Sequence, residues 1–75
     1  NLNKKKYDIF FFDPPFKDTK FTENLKIILQ NKIFNKNHIV IIHREKETND
    51  NINKLLDIKI TKYYGRSKIV FGTFI

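Results

Sequence analysis

The feature that most constrains this chain is the run Tyr7-Asp8-Ile9-Phe10-Phe11-Phe12, which stops abruptly at Asp13-Pro14-Pro15. A short apolar stretch rich in aromatic side chains and closed by a turn signal reads as a β-strand covered on both faces, over residues 7–12. A residue that precedes a proline is driven out of the α region, so Asp13 and Pro14 are both held extended, and neither proline offers an N–H. Asp13-Pro14-Pro15-Phe16 is therefore a stiff ledge at a strand end that presents a carboxylate, a bare carbonyl and an aromatic ring. Two acceptors side by side suit a planar exocyclic amine, which has two N–H groups to give, and the ring suits stacking on the base that carries it. The plainer reading is a strand terminator in which Asp13 caps the following loop.

The rest of the chain supplies a frame for that ledge. Thr22 stands where an N-cap would, Glu23 follows in the first turn, and Leu25, Ile28, Leu29 and Ile33 recur on one side, which predicts an amphipathic helix of about three turns. Asn35-Lys36-Asn37 is expected to end it. The unbroken run His38-Ile39-Val40-Ile41-Ile42-His43 predicts a second buried strand. The charged stretch from Arg44 to Asp50 reads as a loop, and a short helix over residues 51–56 would turn Ile52, Leu55 and Leu56 inward. Ile58 and Ile60 open a third strand, and Tyr64-Gly65-Arg66-Ser67 is a turn into a fourth that resumes at Ile69, so the last 19 residues read as a hairpin. Three strands joined through helices are expected to be parallel, with the last antiparallel to its hairpin partner. That is an α/β sheet with an antiparallel strand near one edge.

Charge and composition narrow the function classes. Lys plus Arg is 15 against 8 for Asp plus Glu, a formal net charge of +7, which attracts polyanions. Ile, Lys and Asn number 12, 13 and 9, however, and Ala is missing, so AT-rich codon usage explains much of the lysine. A solvated lysine surface and a polyanion-binding face both stay open. Cysteine is absent, which excludes a disulfide framework, a thiolate zinc site and a cysteine nucleophile and is compatible with a reducing cytosol. No secretory or membrane-spanning segment is evident, and a chain that opens on Asn1 reads as a piece of something longer. His38, His43 and Glu45 invite a metal reading, but no third ligand or helical pair completes a site, so no metal is expected.

At this point the sequence resembles a known family. Tyr7 to Phe16 looks like motif IV of S-adenosylmethionine-dependent amino-methyltransferases, the (Asn/Asp/Ser)-Pro-Pro-(Tyr/Phe/Trp) signature. Within that group the chain is most similar to the bacterial small-subunit ribosomal RNA guanine-N2 methyltransferases. The similarity runs through the strand Ile39 to Ile42 with its charged tail His43-Arg44-Glu45-Lys46, and through the hairpin turn of residues 62–68. It implies the C-terminal half of a Rossmann-like class I methyltransferase sheet of order 3-2-1-4-5-7-6, with this chain as strands 4-5-7-6. The glycine-rich cofactor loop would then belong to an N-terminal half that is absent here, and that half would be the chain's first partner.

The resemblance implies roles as well. Asp13 and the Pro14 carbonyl would orient the amine, Pro15 would lock the ledge and Phe16 would stack on the base. Asp13 and Pro14 would also border the cofactor, S-adenosylmethionine. If the third strand runs with the first two, the hairpin turn projects from the same edge as the ledge, and Lys17, Lys20, Lys62, Arg66 and Lys68 would rim one opening for ribosomal RNA or a small-subunit assembly intermediate. A lysine-rich edge hairpin that avoids aggregation is the plainer account of these residues. The expectation is thus part of a cytoplasmic RNA methyltransferase, inactive as a fragment. An adenine-N6 DNA methyltransferase and a non-catalytic basic RNA-binding remnant are the alternatives.

Overall fold

The computed structural model describes residues 5–15 and 17–75, so the stacking role expected of Phe16 lies outside the described residues. The elements are β1 (Tyr7–Phe12), α1 (Phe21–Asn31), β2 (Phe34–Glu45), β3 (Leu56–Tyr64) and β4 (Ser67–Phe74). They form a four-stranded sheet of order β1-β2-β4-β3. β1 and β2 are parallel, and β4 is antiparallel to both of its neighbours. β3 therefore runs in the same direction as β1 and β2 while pairing only with β4. The α/β class and the antiparallel last strand are as the sequence predicted.

The core lies on one side of this sheet. Phe21 and Leu25 of α1 pack against Phe10, Val40, Ile42, Val70 and Phe74, with Ile52, Leu55 and Leu56 closing the far end. Side chains alternate across a strand, so the neighbours of these residues point the other way. Ile9 and Phe11 are 67% and 63% exposed. The two-faced burial predicted for the first two strands is thus met on one face only within the described residues. The apolar runs carry a second hydrophobic face, on which Ile9, Phe11 and Ile39 are exposed and Ile41 is half-buried among the described residues.

Several boundaries differ from expectation. The helix begins at Phe21, one residue before the predicted cap, and Lys20 occupies the N-cap position without a side-chain bond. Thr22 is in the first turn, where its hydroxyl donates to the Thr19 carbonyl at 2.9 Å. The C-terminus is closed by Lys32 in the left-handed region, φ 51°, with Ile33 N–H bonded to the Ile28 carbonyl. That is the geometry in which a glycine is usual. Asn35-Lys36-Asn37 does not end the helix, because it already belongs to β2. The parallel register jumps there, from Tyr7 opposite Phe34 to Ile9 opposite Ile39, so β2 carries three extra residues in a bulge. Asn35 uses its amide on the Asp8 carboxylate at 2.7 Å.

The short helix predicted for residues 51–56 is one hydrogen-bonded turn, with the N–H groups of Leu55 and Leu56 on the Ile52 carbonyl at 2.9 Å. Its three apolar residues are buried as predicted, but Leu56 already starts β3. The hairpin turn needs positive φ at Gly65 alone (55°), as in two-residue turns led by glycine. Gly72 is required for a different reason. A Cβ there would sit 2.6 Å from the Asp57 carbonyl oxygen, next to the bulge at residues 58–60 of β3.

Candidate active site

Register dictates what faces Asp13. β1 and β2 are parallel, with Phe11 opposite Ile41 and Phe12 opposite Ile42, so the next residue of each strand, Asp13 and His43, arrive level and on one face. Their side chains meet, His43 Nδ1 to Asp13 Oδ1, at 3.0 Å. The carboxylate is 60% exposed and the imidazole 38%. Asp13 makes no other side-chain bond among the described residues, which leaves Oδ2 available.

The ledge beyond Asp13 is held from below. Arg44 points to the opposite face from His43 and is almost fully buried. Its Nε and Nη2 donate to the two oxygens of Asp50 at 2.7 and 3.1 Å, its Nη1 donates to the Pro15 carbonyl at 3.1 Å, and its guanidinium lies 4.8 Å from the centre of the Phe21 ring. The Pro15 carbonyl also accepts the Asp18 N–H at 2.9 Å. Of the two proline carbonyls, then, Pro15's is committed to structure. Among the described residues the Pro14 carbonyl accepts no hydrogen bond. Among the described residues Asp13 Oδ2 and the Pro14 oxygen are two acceptors at the ledge with no hydrogen-bond partner.

Arg44 is the residue that sequence reasoning missed, since Arg44 to Asp50 read as a charged loop. The signal was present: His38, Val40, Ile42 and Arg44 continue one alternation, and an arginine on the buried phase of a strand needs a buried partner. The stretch after β2 supplies Asp50 by looping back.

One open cleft joins the ledge to the hairpin. Asp13, Pro14, His43, Glu45, Arg66 and Ser67 are among the residues that line it. Of the five basic residues expected to rim a single opening, Arg66 alone lines this one. Lys17, Lys20 and Lys62 are exposed outside it, and the Lys68 ammonium donates to the Thr48 carbonyl at 2.7 Å on the helix side of the sheet. The shared rim predicted for Lys68 is corrected by strand phase, since its register partner is Arg44 and not His43. His38 and His43 lie on opposite faces of β2. His38 is buried, with Nδ1 at the Asn35 carbonyl and Nε2 accepting the Phe74 N–H, and it belongs to the core. Among the described residues no three His, Asp or Glu side chains converge on a metal-sized site.

The family model described as conserved hypothetical protein 95 matches residues 1–73. The chain belongs to this family. It is 27% identical over 70 residues to an uncharacterized methylase of Rickettsia prowazekii, covering 93% of this chain and 30% of that protein. It is 35% identical over 52 residues to ribosomal RNA small subunit methyltransferase D of Buchnera aphidicola, covering 69% of this chain and 24% of that protein. A solved structure of a conserved hypothetical protein of Streptococcus pyogenes superposes with a TM-score of 0.79 at 20% identity, over 96% of this chain and 46% of the other. The family resemblance read from the sequence is borne out. The chain spans less than a third of the length of the curated relatives it matches.

Proposed function

We propose that this chain is the C-terminal part of an S-adenosylmethionine-dependent methyltransferase acting on the exocyclic N2 amine of guanine in small-subunit ribosomal RNA. The observation that carries the reading is the pair of uncommitted acceptors, Asp13 Oδ2 and the Pro14 carbonyl, at the C-terminal end of β1, where open α/β sheets bind their ligands. The names of the methylase and ribosomal RNA methyltransferase relatives support the reaction class and the RNA substrate.

The amine of a nucleobase is a poor nucleophile because its lone pair is delocalised into the ring. Asp13 accepts one of its hydrogens and the Pro14 carbonyl the other, which favours a pyramidal nitrogen with its lone pair directed outward. The carboxylate also stabilises the positive charge that develops on nitrogen as the new bond forms. S-adenosylmethionine, when bound, supplies an electrophilic methyl carbon on a cationic sulfur. The same two acceptors suit a cation, so Asp13 and Pro14 are the residues of this chain that would border it, while its main binding loop lies in a preceding half of the same domain. Phe16 stacks on the base, Pro15 keeps the ledge rigid, and Arg66 contacts RNA phosphate across the cleft. Lys17 and Lys20 add to the field that attracts RNA to this edge. The reading places the protein in the cytoplasm with the ribosomal subunits.

The test is methyl transfer by the full-length protein from labelled S-adenosylmethionine to small-subunit ribosomal RNA, with nucleoside analysis of the product. N2-methylguanosine is expected. Asp13→Ala should lower kcat by roughly 100-fold or more with a much smaller loss of cofactor affinity, because its stronger contact is to the amine in the transition state. Label recovered on adenine of DNA, or an Asp13→Ala protein that turns over normally, would overturn the reading.

A further inference from the structure

We infer that His43 is a positioning residue, one that sets the orientation of the Asp13 carboxylate through an Nδ1–H hydrogen bond; the inference rests on the function proposed above. An aspartate at a strand end that is 60% exposed has little packing to fix its χ angles. A carboxylate that rotates freely aims its acceptor at the amine only part of the time. His43 removes that freedom. It is placed by register and not by chance, since it is the β2 residue level with Asp13 and on the same face. At 3.0 Å its Nδ1 occupies one oxygen and leaves Oδ2 as the acceptor beside the Pro14 carbonyl.

The chemistry of the contact specifies more. An ionised carboxylate only accepts, so Nδ1 must carry the proton. In a neutral ring Nε2 is then the lone-pair nitrogen. The other charged groups around the cleft are Glu45, two residues along on the same face, and Arg66 on the turn, with Arg44 beneath the sheet. Among the described residues none of them makes a hydrogen bond to the His43 ring, and Asp13 alone sets the tautomer. The effect of His43 on the reaction passes through Asp13.

This makes a prediction that a merely structural histidine would not meet. Asn places an amide N–H close to where Nδ1–H stands, whereas Gln carries its amide one carbon further, nearer Nε2. In the full-length protein, kcat for methyl transfer to small-subunit RNA is expected to fall about 10- to 100-fold in His43→Ala and His43→Gln, and to return within about threefold of wild type in His43→Asn. Affinity for S-adenosylmethionine and KM for RNA should hold in all three. A second readout does not depend on activity. In 15N-labelled protein the neutral His43 ring should be the Nδ1–H tautomer, and in Asp13→Ala it should revert to the Nε2–H form that free imidazole side chains prefer. Asn and Gln variants that are equally impaired, an alanine variant with wild-type kcat, or an Nε2–H ring in the wild type would each overturn the role of His43. An inactive wild type would overturn the functional reading itself, and this inference with it.

Discussion

Replacing Asp50 by Asn tests whether the ledge is held by a buried charge. The change keeps the side-chain volume and removes the counter-charge from Arg44, whose side chain is 2% exposed against 9% for that of Asp50. At such burial neither partner is rescued by water. Breaking a buried pair from one side costs about 3–5 kcal/mol, because the guanidinium loses the carboxylate that holds it at Nε and Nη2. Its contacts with the Pro15 carbonyl and the Phe21 ring are dipolar and quadrupolar and do not replace a carboxylate. A loss of that size is a large part of the roughly 5–15 kcal/mol that holds a domain folded. Urea unfolding of the full-length protein should show the midpoint falling accordingly with an unchanged slope.

The companion variant separates charge from packing. Arg44→Met with Asp50→Leu removes both charges and keeps much of the volume, and most of the lost stability should return. Turnover should not return with it, because the Pro15 carbonyl loses its Arg44 donor and the ledge is freed on that side. A loss below about 1 kcal/mol in Asp50→Asn would mean that the pair is solvated, as exposed pairs are. A double variant as unstable as the single one would mean that shape, and not charge, is what the site requires.

Two other substitutions read separate parts of the molecule. Gly72→Ala should destabilise by about 1–3 kcal/mol in a thermal or urea melt, since the added methyl meets the Asp57 carbonyl and that backbone must move at the β3 bulge; a neutral result would show that the bulge gives way freely. Arg66→Glu should weaken RNA binding and flatten its salt dependence in filter-binding titrations across ionic strength, whereas Lys68→Gln should leave the salt slope alone and lower stability, because that ammonium is committed to the Thr48 carbonyl; equal slopes for the two would return the hairpin to a solubility role.

How much of this was legible follows from what each residue type reports. Phe10 to Phe12 and Ile39 to Ile42 announce strands because β-branched and aromatic runs do little else, and Asp13-Pro14-Pro15 announces its own backbone conformation. The hairpin is legible from Gly65. Asn35-Lys36-Asn37 was misread because polar residues with weak preferences say that regular structure is interrupted without saying whether a helix stops or a strand bulges. Lys32 gave no sign of ending the helix, since only the fold makes a lysine adopt the left-handed conformation. Arg44 was read by its charge when its phase mattered more. Ile9, Phe11 and Ile39 belong to runs that read as covered on both faces, yet they are exposed among the described residues, because apolar composition marks a strand and not the number of faces it buries.

The strand register connects these errors to the chemistry. A slip of one residue between β1 and β2 would exchange every side chain of β2 between faces. His43 would then turn toward α1, and Arg44 would stand beside Asp13 in the cleft, a cation against the carboxylate whose free oxygen the amine needs. Pro15 would lose its anchor in the same step. The three-residue bulge at Asn35–Asn37 takes up the surplus length between the end of α1 and the paired stretch from Ile39 onward, and Asn35 ties it to Asp8 at the start of β1. The segment that looked least structured in the sequence thus fixes which residues face Asp13 at the other end of the strand, some eight positions away. A site built on two parallel strand ends has no local means of correcting its register, so the specification has to lie upstream, in that bulge and in the alternation of His38, Val40, Ile42 and Arg44 against the core.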